Sequence, residues 1–422
     1  MNATSTQRRA EVRALGHLAL NEIGNAAGGI GSIHRAISNR VFAGIGLGLG
    51  AKAEPVKIVH DAITDIVYSS IVESARAGGY VAGKTLDIRS ADNAPVSETA
   101  RGAVVIGAIQ GLIGDVLEAD QSPLATEMSV RVDGAVVPPT RDSLAAAFPN
   151  ASSRIIVFVH GLSESEVAWG IGGRATYGER LEDALDASEV QVRFNTGRHI
   201  SENGRSLHAL LTELCDAWPV PITEIALIGH SMGGLVARSA CHQAATQEAA
   251  WVHSVGHTVS LGTPHLGAPL EQFVHRISAA LVAVPETRAF GRLLRRRSSG
   301  IRDLHQGSLV DEDWRGRDRD ALRLAAYSEV PLLPDAMHCF VSGTVTTSPS
   351  NPFGRVIGDG LVLLPSASGV NRTRRIGFRE EDGFHVPGAH HLALLNHDAV
   401  YDKLLMWLSD SGDADLVESV SE

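Results

Sequence analysis

The residue in this chain whose surroundings most clearly allow chemistry is a serine held between glycines. Ser231 lies in IALIGHSMGGLV (residues 225–236), where a short apolar run breaks at Gly229, His230, Ser231, Met232 and Gly233 before a small-residue helical pattern begins. This predicts a strand, a sharp turn and a helix. Glycines at 229 and 233 let strand and helix pass closely, so the hydroxyl projects from the sheet edge as a nucleophile elbow. A serine hydroxyl attacks only when an imidazole takes its proton, and that imidazole needs a carboxylate to hold its tautomer and stabilise its charge. In chains with this kind of elbow the acid and then the histidine follow the serine.

Downstream, Asp359 is the candidate acid. It stands between Gly358 and Gly360, after Val356 and Ile357 and before the apolar residues 361–364, which predicts a tight turn near a strand end. Asp335 and Asp382 are the alternatives. The candidate base is His391, in a loop just before the last helical pattern, with His390 and His397 as alternatives. A tetrahedral intermediate also needs two fixed N–H donors for its oxyanion. One is expected from Met232, directly after the nucleophile; the other from Leu162, in the loop HGL after an early strand, with His160 and Gly161 supporting that loop. No HExxH motif occurs and no carboxylate cluster surrounds a histidine pair, so neither a metal nor a cofactor is expected.

These groups need a sheet to hold them. From residue 154 onward strand-like and helical patterns alternate, which predicts a doubly wound, mostly parallel α/β sheet. Strands are expected over residues 155–159, 190–194, 225–228, 257–261 and 339–345. Helices are expected around Leu181 and Leu185, from Leu207 to Trp218, and around Val400 to Leu408, the last capped by Asn396. Ahead of the sheet, alternating Met128, Val130, Val132, Ala135 and Val137 around Asp133 and Gly134 predict a β-hairpin. Residues 266–335 carry helical character without a strand and are too long for an ordinary connection, so they read as a lid inserted over the active-site edge.

Residues 1–121 show helical periodicity and almost no strand signal. Helices are expected near 30–42, over 56–74, and over 104–117, where Val104, Val105, Ala108, Ile109, Leu112, Ile113, Val116 and Leu117 form an apolar face. The run GIGLGLGA (residues 44–51) lacks a preceding strand and a following Gly-Lys-Ser/Thr, so it reads as close packing or a connection rather than a phosphate loop. The predicted organisation is a helical region over 1–121, a catalytic domain over 122–410 and an acidic disordered tail over 411–422.

With 422 residues the chain can bury a large core, and its formal charge of -11 argues against a nucleic-acid partner. Cys215, Cys241 and Cys339 are odd in number and set in apolar segments, which suits reduced core thiols. The N-terminus lacks the pattern of a secretory signal, and the longest apolar runs, 41–53 and 103–117, read as too short to span a bilayer. A cytoplasmic protein is expected, with peripheral contact to a lipid surface left open.

Several motifs together then resemble a known group. FVHGL (158–162), FNTGRHISENGR (194–205), GHSMGG (229–234), LGTPHLGAPLE (261–271) and HLALLNH (391–397) are similar to those of bacterial lipase-like serine esterases of the α/β-hydrolase superfamily, related to GPI inositol-deacylases and triacylglycerol lipases. The resemblance covers roughly 154–408. It implies an α/β-hydrolase fold, Ser231, Asp359 and His391 as the triad, and the N–H groups of Leu162 and Met232 as the oxyanion hole. The elbow, the ordered partners and the long insertion lead to the expectation of a serine ester hydrolase acting on a lipid-like or other hydrophobic acyl ester through an acyl-enzyme. Acyl transfer or thioester hydrolysis on the same triad is an alternative. So, from another class, is an inert membrane-associated or scaffolding protein.

Overall fold

The computed structural model describes residues 3–26, 94–268, 298–305, 307–317, 328–348, 354 and 357–409. The expected helices at 30–42 and 56–74, the run 44–51, most of the expected lid and the acidic tail lie outside the described residues. Of the insertion, 298–305, 307–317 and 328–335 are described.

The chain opens with helix α1 (Ala3–Ala26), and α2 (Ala100–Ala119) leads into a hairpin of β1 (Ser129–Val132) and β2 (Ala135–Val137). Asp133 and Gly134 turn the hairpin with φ of 50° and 81°, the left-handed pair that a tight two-residue turn requires. A short helix α3 (Arg141–Ala147) precedes β3 (Arg154–Val159). Then α4 (Tyr177–Leu185), β4 (Ser188–Arg193), α5 (Ile200–Ala217), β5 (Glu224–His230), α6 (Met232–Thr246) and β6 (Val255–Leu261) alternate. After α7 (Ser299–Leu304) come β7 (Met337–Thr344), α8 (Leu364–Ala367), β8 (Gly383–Pro387) and α9 (Asp398–Ser409).

The eight strands form one sheet in the order β2-β1-β4-β3-β5-β6-β7-β8. β1 runs antiparallel to β2 and β4, and all other neighbours are parallel. Both faces are covered, as parallel strands require. In β3, Ile155, Val157 and Val159 enter a core shared with α5 and α6, whereas Ile156 and Phe158 enter one shared with α4 and α9. Each fully buried Leu, Ile, Val or Phe contributes roughly 1.5–3 kcal/mol, so these two layers dominate the stability of the sheet.

Three local findings differ from expectation. β8 was not anticipated: it is an edge strand whose Gly383 and Pro387 weaken the strand signal and whose side chains are mostly half-buried. Residues 361–364 form no strand but lead into α8. α9 is capped not by Asn396 but by His397, whose Nδ1 accepts the Ala399 N–H at 3.2 Å, while the Asn396 amide turns to the carbonyls of Arg174 and Ala175.

Helix α2 is bound tightly to the sheet domain. The Gly111 carbonyl accepts from Ser298 Oγ at 2.6 Å, the Gly114 carbonyl from Asn195 Nδ2 at 2.9 Å, and Asp115 Oδ2 from both N and Oγ of Ser299 at 2.9 Å. Drawing carbonyls away from the helical ladder fits the break at Ile113, where φ is -140°. Further back, the buried Glu11 of α1 accepts from N and Oγ of Ser97, the Ser97 carbonyl accepts from Arg193, and Arg193 is paired with Glu166. The expected boundary at residue 121 therefore follows an element that is bonded into the neighbouring domain. At 20 residues α2 is, among the described residues, the one helix long and apolar enough to cross a membrane; 56 % of its apolar window is buried within the protein, as for a core helix.

The three cysteines are free, with Cys241 and Cys339 buried and Cys215 half-buried; burial pushes their thiols up to about 12, 12 and 11.

Candidate active site

Ser231 sits where β5 hands over to α6, with φ 52° and ψ -119°. A non-glycine residue pays roughly 1–3 kcal/mol for such a backbone, which persists only when the surroundings hold it. They do so here by close approach. A Cβ on Gly229 would strike the Gly234 backbone, and one on Gly233 would strike the Val159 carbonyl. The Ser231 N–H donates to the Leu261 carbonyl at 2.8 Å, pinning the turn to the end of β6.

Asp359 lies in the turn beyond the end of β7, between Gly358 (φ 63°) and Gly360 (φ 103°). The Gly358 carbonyl accepts the Val345 N–H at 2.9 Å, which fastens the turn to the strand. Asp359 Oδ1 accepts the N–H groups of Leu361 and Val362 at 2.9 and 2.7 Å. This leaves Oδ2 to His391, whose Nδ1 is 2.8 Å away, and the His391 N–H donates to the Asp359 carbonyl at 2.9 Å. Burial pulls the His391 imidazole down, but the Asp359 carboxylate, by charge and hydrogen bond, and then the charge of Glu164 outweigh it and hold it above the ordinary histidine value.

The structure thus brings His391 and Asp359 together and sets Ser231 close by. A Cβ on Gly262 would lie 3.1 Å from His391 Nδ1, and the preceding residue Leu261 is the one that accepts the Ser231 N–H. No hydrogen bond joins the Ser231 hydroxyl to His391 among those of the described residues. The alternatives are engaged elsewhere. The His390 ring accepts the Ala393 N–H at 3.1 Å, and His397 caps α9. Asp382 pairs with Arg379 at 2.6 Å just before β8, and Asp335 lies just before β7. Both alternative acids are at the strands' N-terminal edge, opposite the elbow.

On the other side of Ser231 is the loop after β3. His160 is buried; Nδ1 is 3.0 Å from the Gly161 carbonyl and Nε2 accepts the Phe194 N–H at 3.3 Å, which corresponds to the neutral tautomer protonated at Nδ1. Burial holds this ring below its ordinary value. In the loop, the Gly161 N–H donates to Glu164 Oε2 at 2.7 Å, the Ser163 N–H to Thr196 Oγ1 at 3.2 Å, and the Glu164 N–H to the Gly161 carbonyl at 3.3 Å. Leu162 is the one residue of 161–164 whose N–H is not committed in this way. The Met232 N–H, first in α6, has no carbonyl one turn back within the helix to bond to. Ser163 adopts φ 61°, so both loops around the site carry a left-handed non-glycine residue.

Sequence reasoning missed four contributors: Glu164, His230 as a ring partner, Thr196 and the α2 glycines. A Cβ on Gly111 would collide with Ser163, and one on Gly107 would lie 2.6 Å from the Glu164 carbonyl. An acidic residue two positions after HGL was visible in the sequence, but its partner across 66 residues was not. Among the described residues no group of three or more His, Cys, Asp or Glu could hold a metal ion.

Residues 151–318, less than half of the chain, match the family model described as "PGAP1-like alpha/beta domain". Comparison with curated proteins finds no match. Among solved structures, the Bacillus licheniformis lipase BlEst2 in mature form is 18 % identical with a TM-score of 0.38, over 60 % of this chain and 91 % of that one. The Pyrococcus furiosus esterase Pf2001 is 15 % identical with a TM-score of 0.32, over 62 % and 82 %; the esterase from Pyrobaculum calidifontis is 14 % identical with a TM-score of 0.36, over 61 % and 74 %. At such scores the likeness carries no argument by itself, and the assignment rests on strand order, the strained serine turn and the family match. The chain has an α/β-hydrolase fold, similar over residues 151–318 to the PGAP1-like α/β domain family.

Proposed function

We propose that the protein is a serine hydrolase that cleaves carboxylic esters of lipid-like or other hydrophobic acyl groups through an acyl-enzyme. The observation that carries this reading is the strained Ser231 turn at the end of a central strand, with the buried His391–Asp359 pair beside it. In this mechanism His391 takes the Ser231 proton as the hydroxyl attacks the ester carbonyl, and Asp359 stabilises the imidazolium. The N–H groups of Leu162 and Met232 receive the oxyanion, each worth roughly 3 kcal/mol in the barrier. His391 then protonates the leaving alcohol, and a water, activated by the same ring, releases the acid. The missing Ser231–His391 hydrogen bond is compatible with this, because such bonds are often long before substrate binds. The hydrophobic acyl group is supported by the likeness to lipase-type motifs.

Purified protein is expected to release p-nitrophenol from short and medium acyl esters and to take a fluorophosphonate label at Ser231. Ser231→Ala should lose both, with hydrolysis falling by about 10⁴-fold or more. Equal rates for the two proteins would end this reading.

A further inference from the structure

The mechanism above leaves Glu164 unused, although its carboxylate lies among the three loops that the mechanism needs. One oxygen accepts the Gly161 N–H at 2.7 Å and so closes the turn that presents Leu162. The same carboxylate lies 3.0 Å from Nδ1 of His230, the residue directly before Ser231. Across that ring, His230 Nε2 is 3.3 Å from the carbonyl oxygen of His391. The His230 ring thus spans the gap between the Glu164 carboxylate and the turn that carries His391. The His230 and His391 rings also pack against each other, tilted by 45° with centroids 4.7 Å apart.

We propose that Glu164 is a positioning residue which, through His230, holds the Leu162 loop, the serine elbow and the His391 turn at one fixed spacing. This rests on the hydrolase reading. Glu164 touches neither substrate nor reacting atoms; it acts by keeping two N–H donors and the base aligned on one point, where an error of about 1 Å lowers rate by roughly 100-fold. The loop is held from behind as well, because the Glu164 carbonyl rests against Gly107 of α2. Burial pushes the Glu164 carboxyl up, but the His230 ring and the Gly161 N–H outweigh it and leave it below the ordinary value, so the carboxylate form is the one present. The titratable groups around His391 are Asp359, the adjacent His390, His230 and, beyond it, Glu164, whose charge is among those that raise His391.

The test is steady-state kinetics of the full chain on a p-nitrophenyl ester across pH, for wild type, Glu164→Gln and Glu164→Asp, each with its folded fraction measured. Glu164→Gln is expected to lower kcat by roughly 10- to 100-fold with KM changed by less than about threefold, and to move the acid limb of kcat/KM to lower pH. Glu164→Asp keeps the charge but cannot span both partners, so the acid limb should stay while kcat falls. If Glu164→Gln does not fold, the aspartate variant carries the test. Wild-type kcat together with an unmoved limb in a folded Glu164→Gln overturns the inference, as does wild-type kcat in the aspartate variant, while leaving the hydrolase reading intact. A wild-type protein that neither hydrolyses the ester nor takes the fluorophosphonate overturns both.

Discussion

Among the described residues are two buried histidine–aspartate pairs of similar Nδ1-to-carboxylate distance. His391 Nδ1 lies 2.8 Å from Asp359, and His199 Nδ1 lies 3.0 Å from both oxygens of Asp303. What differs is everything beyond the shared bond. The His199 ring stacks on Trp314 at 3.6 Å, with planes 6° apart, and its Nε2 is buried without a hydrogen-bond partner among the described residues. Asp303 also accepts the Ile200 N–H at 2.8 Å, so this pair ties the start of α5 to α7. The His391 ring lies instead beside Gly262, next to the strand end that pins the serine turn. An imidazole can serve as a base only if its second nitrogen can reach a proton worth moving. The bond to the carboxylate by itself says nothing about that.

The largest expected contrast is in kcat. On the proposed mechanism Asp359→Asn drops kcat by about 10⁴-fold, whereas Asp303→Ala leaves kcat within about tenfold and destabilises the fold by roughly 1–3 kcal/mol, because the His199 and Ile200 N–H groups lose their acceptor. Ester kinetics and urea unfolding of the two variants measure this. Similar losses of kcat from both would erase the distinction.

The second contrast is in pH. Because His391 is held above the ordinary histidine value, the acid limb of kcat/KM should lie above about 6.5, and Asp359→Asn should bring it down. For stability the sign is the same for both pairs. His391 is raised on folding, so its contribution is fully present below the unfolded histidine value and is lost as pH rises through the folded one. Burial first, opposed by His199, leaves Asp303 raised as well, so its contribution is present only in acid and is lost as pH rises through its own folded value. Urea midpoints of wild type and Asp303→Asn should therefore converge as pH falls towards the carboxylate range.

The smallest effect sharpens the structural role of the second pair. Asp115 of α2 holds Ser299 at the start of α7, so Asp115→Ala should loosen the Asp303 side by about 1 kcal/mol and leave the acid limb unmoved. A thermal melt together with a pH profile reads both.

Much of the fold is visible in the residues. β3 and β5 are built on continuous apolar runs, and the hairpin at Asp133 and Gly134 carries its turn chemistry locally. β8 is not visible, because an edge strand with glycine, proline and half-buried side chains has little local signal. Helix α2 is visible as an amphipathic pattern, yet nothing in its spacing says that Gly107 and Gly111 face the 163–164 backbone. Likewise the sequence ranks Asp359 above Asp382 by its glycine neighbours. That Asp382 and Asp335 lie at the opposite sheet edge follows only from parallel strand direction.

What the sequence alone determined is whatever depends on near neighbours: the strained turn around Ser231, the alternation of strands and helices, and the glycines that flank Asp359. The tertiary structure alone decided which imidazole meets which carboxylate. His391 meets Asp359 across 32 residues, His199 meets Asp303 across 104 and His230 meets Glu164 across 66, and separations of that kind are bridged by how the strands, β3, β5, β6 and β7 in that spatial order, and the helices on them pack. Hydrogen bonds form between atoms close in space, and only the packed sheet makes distant parts of the chain close.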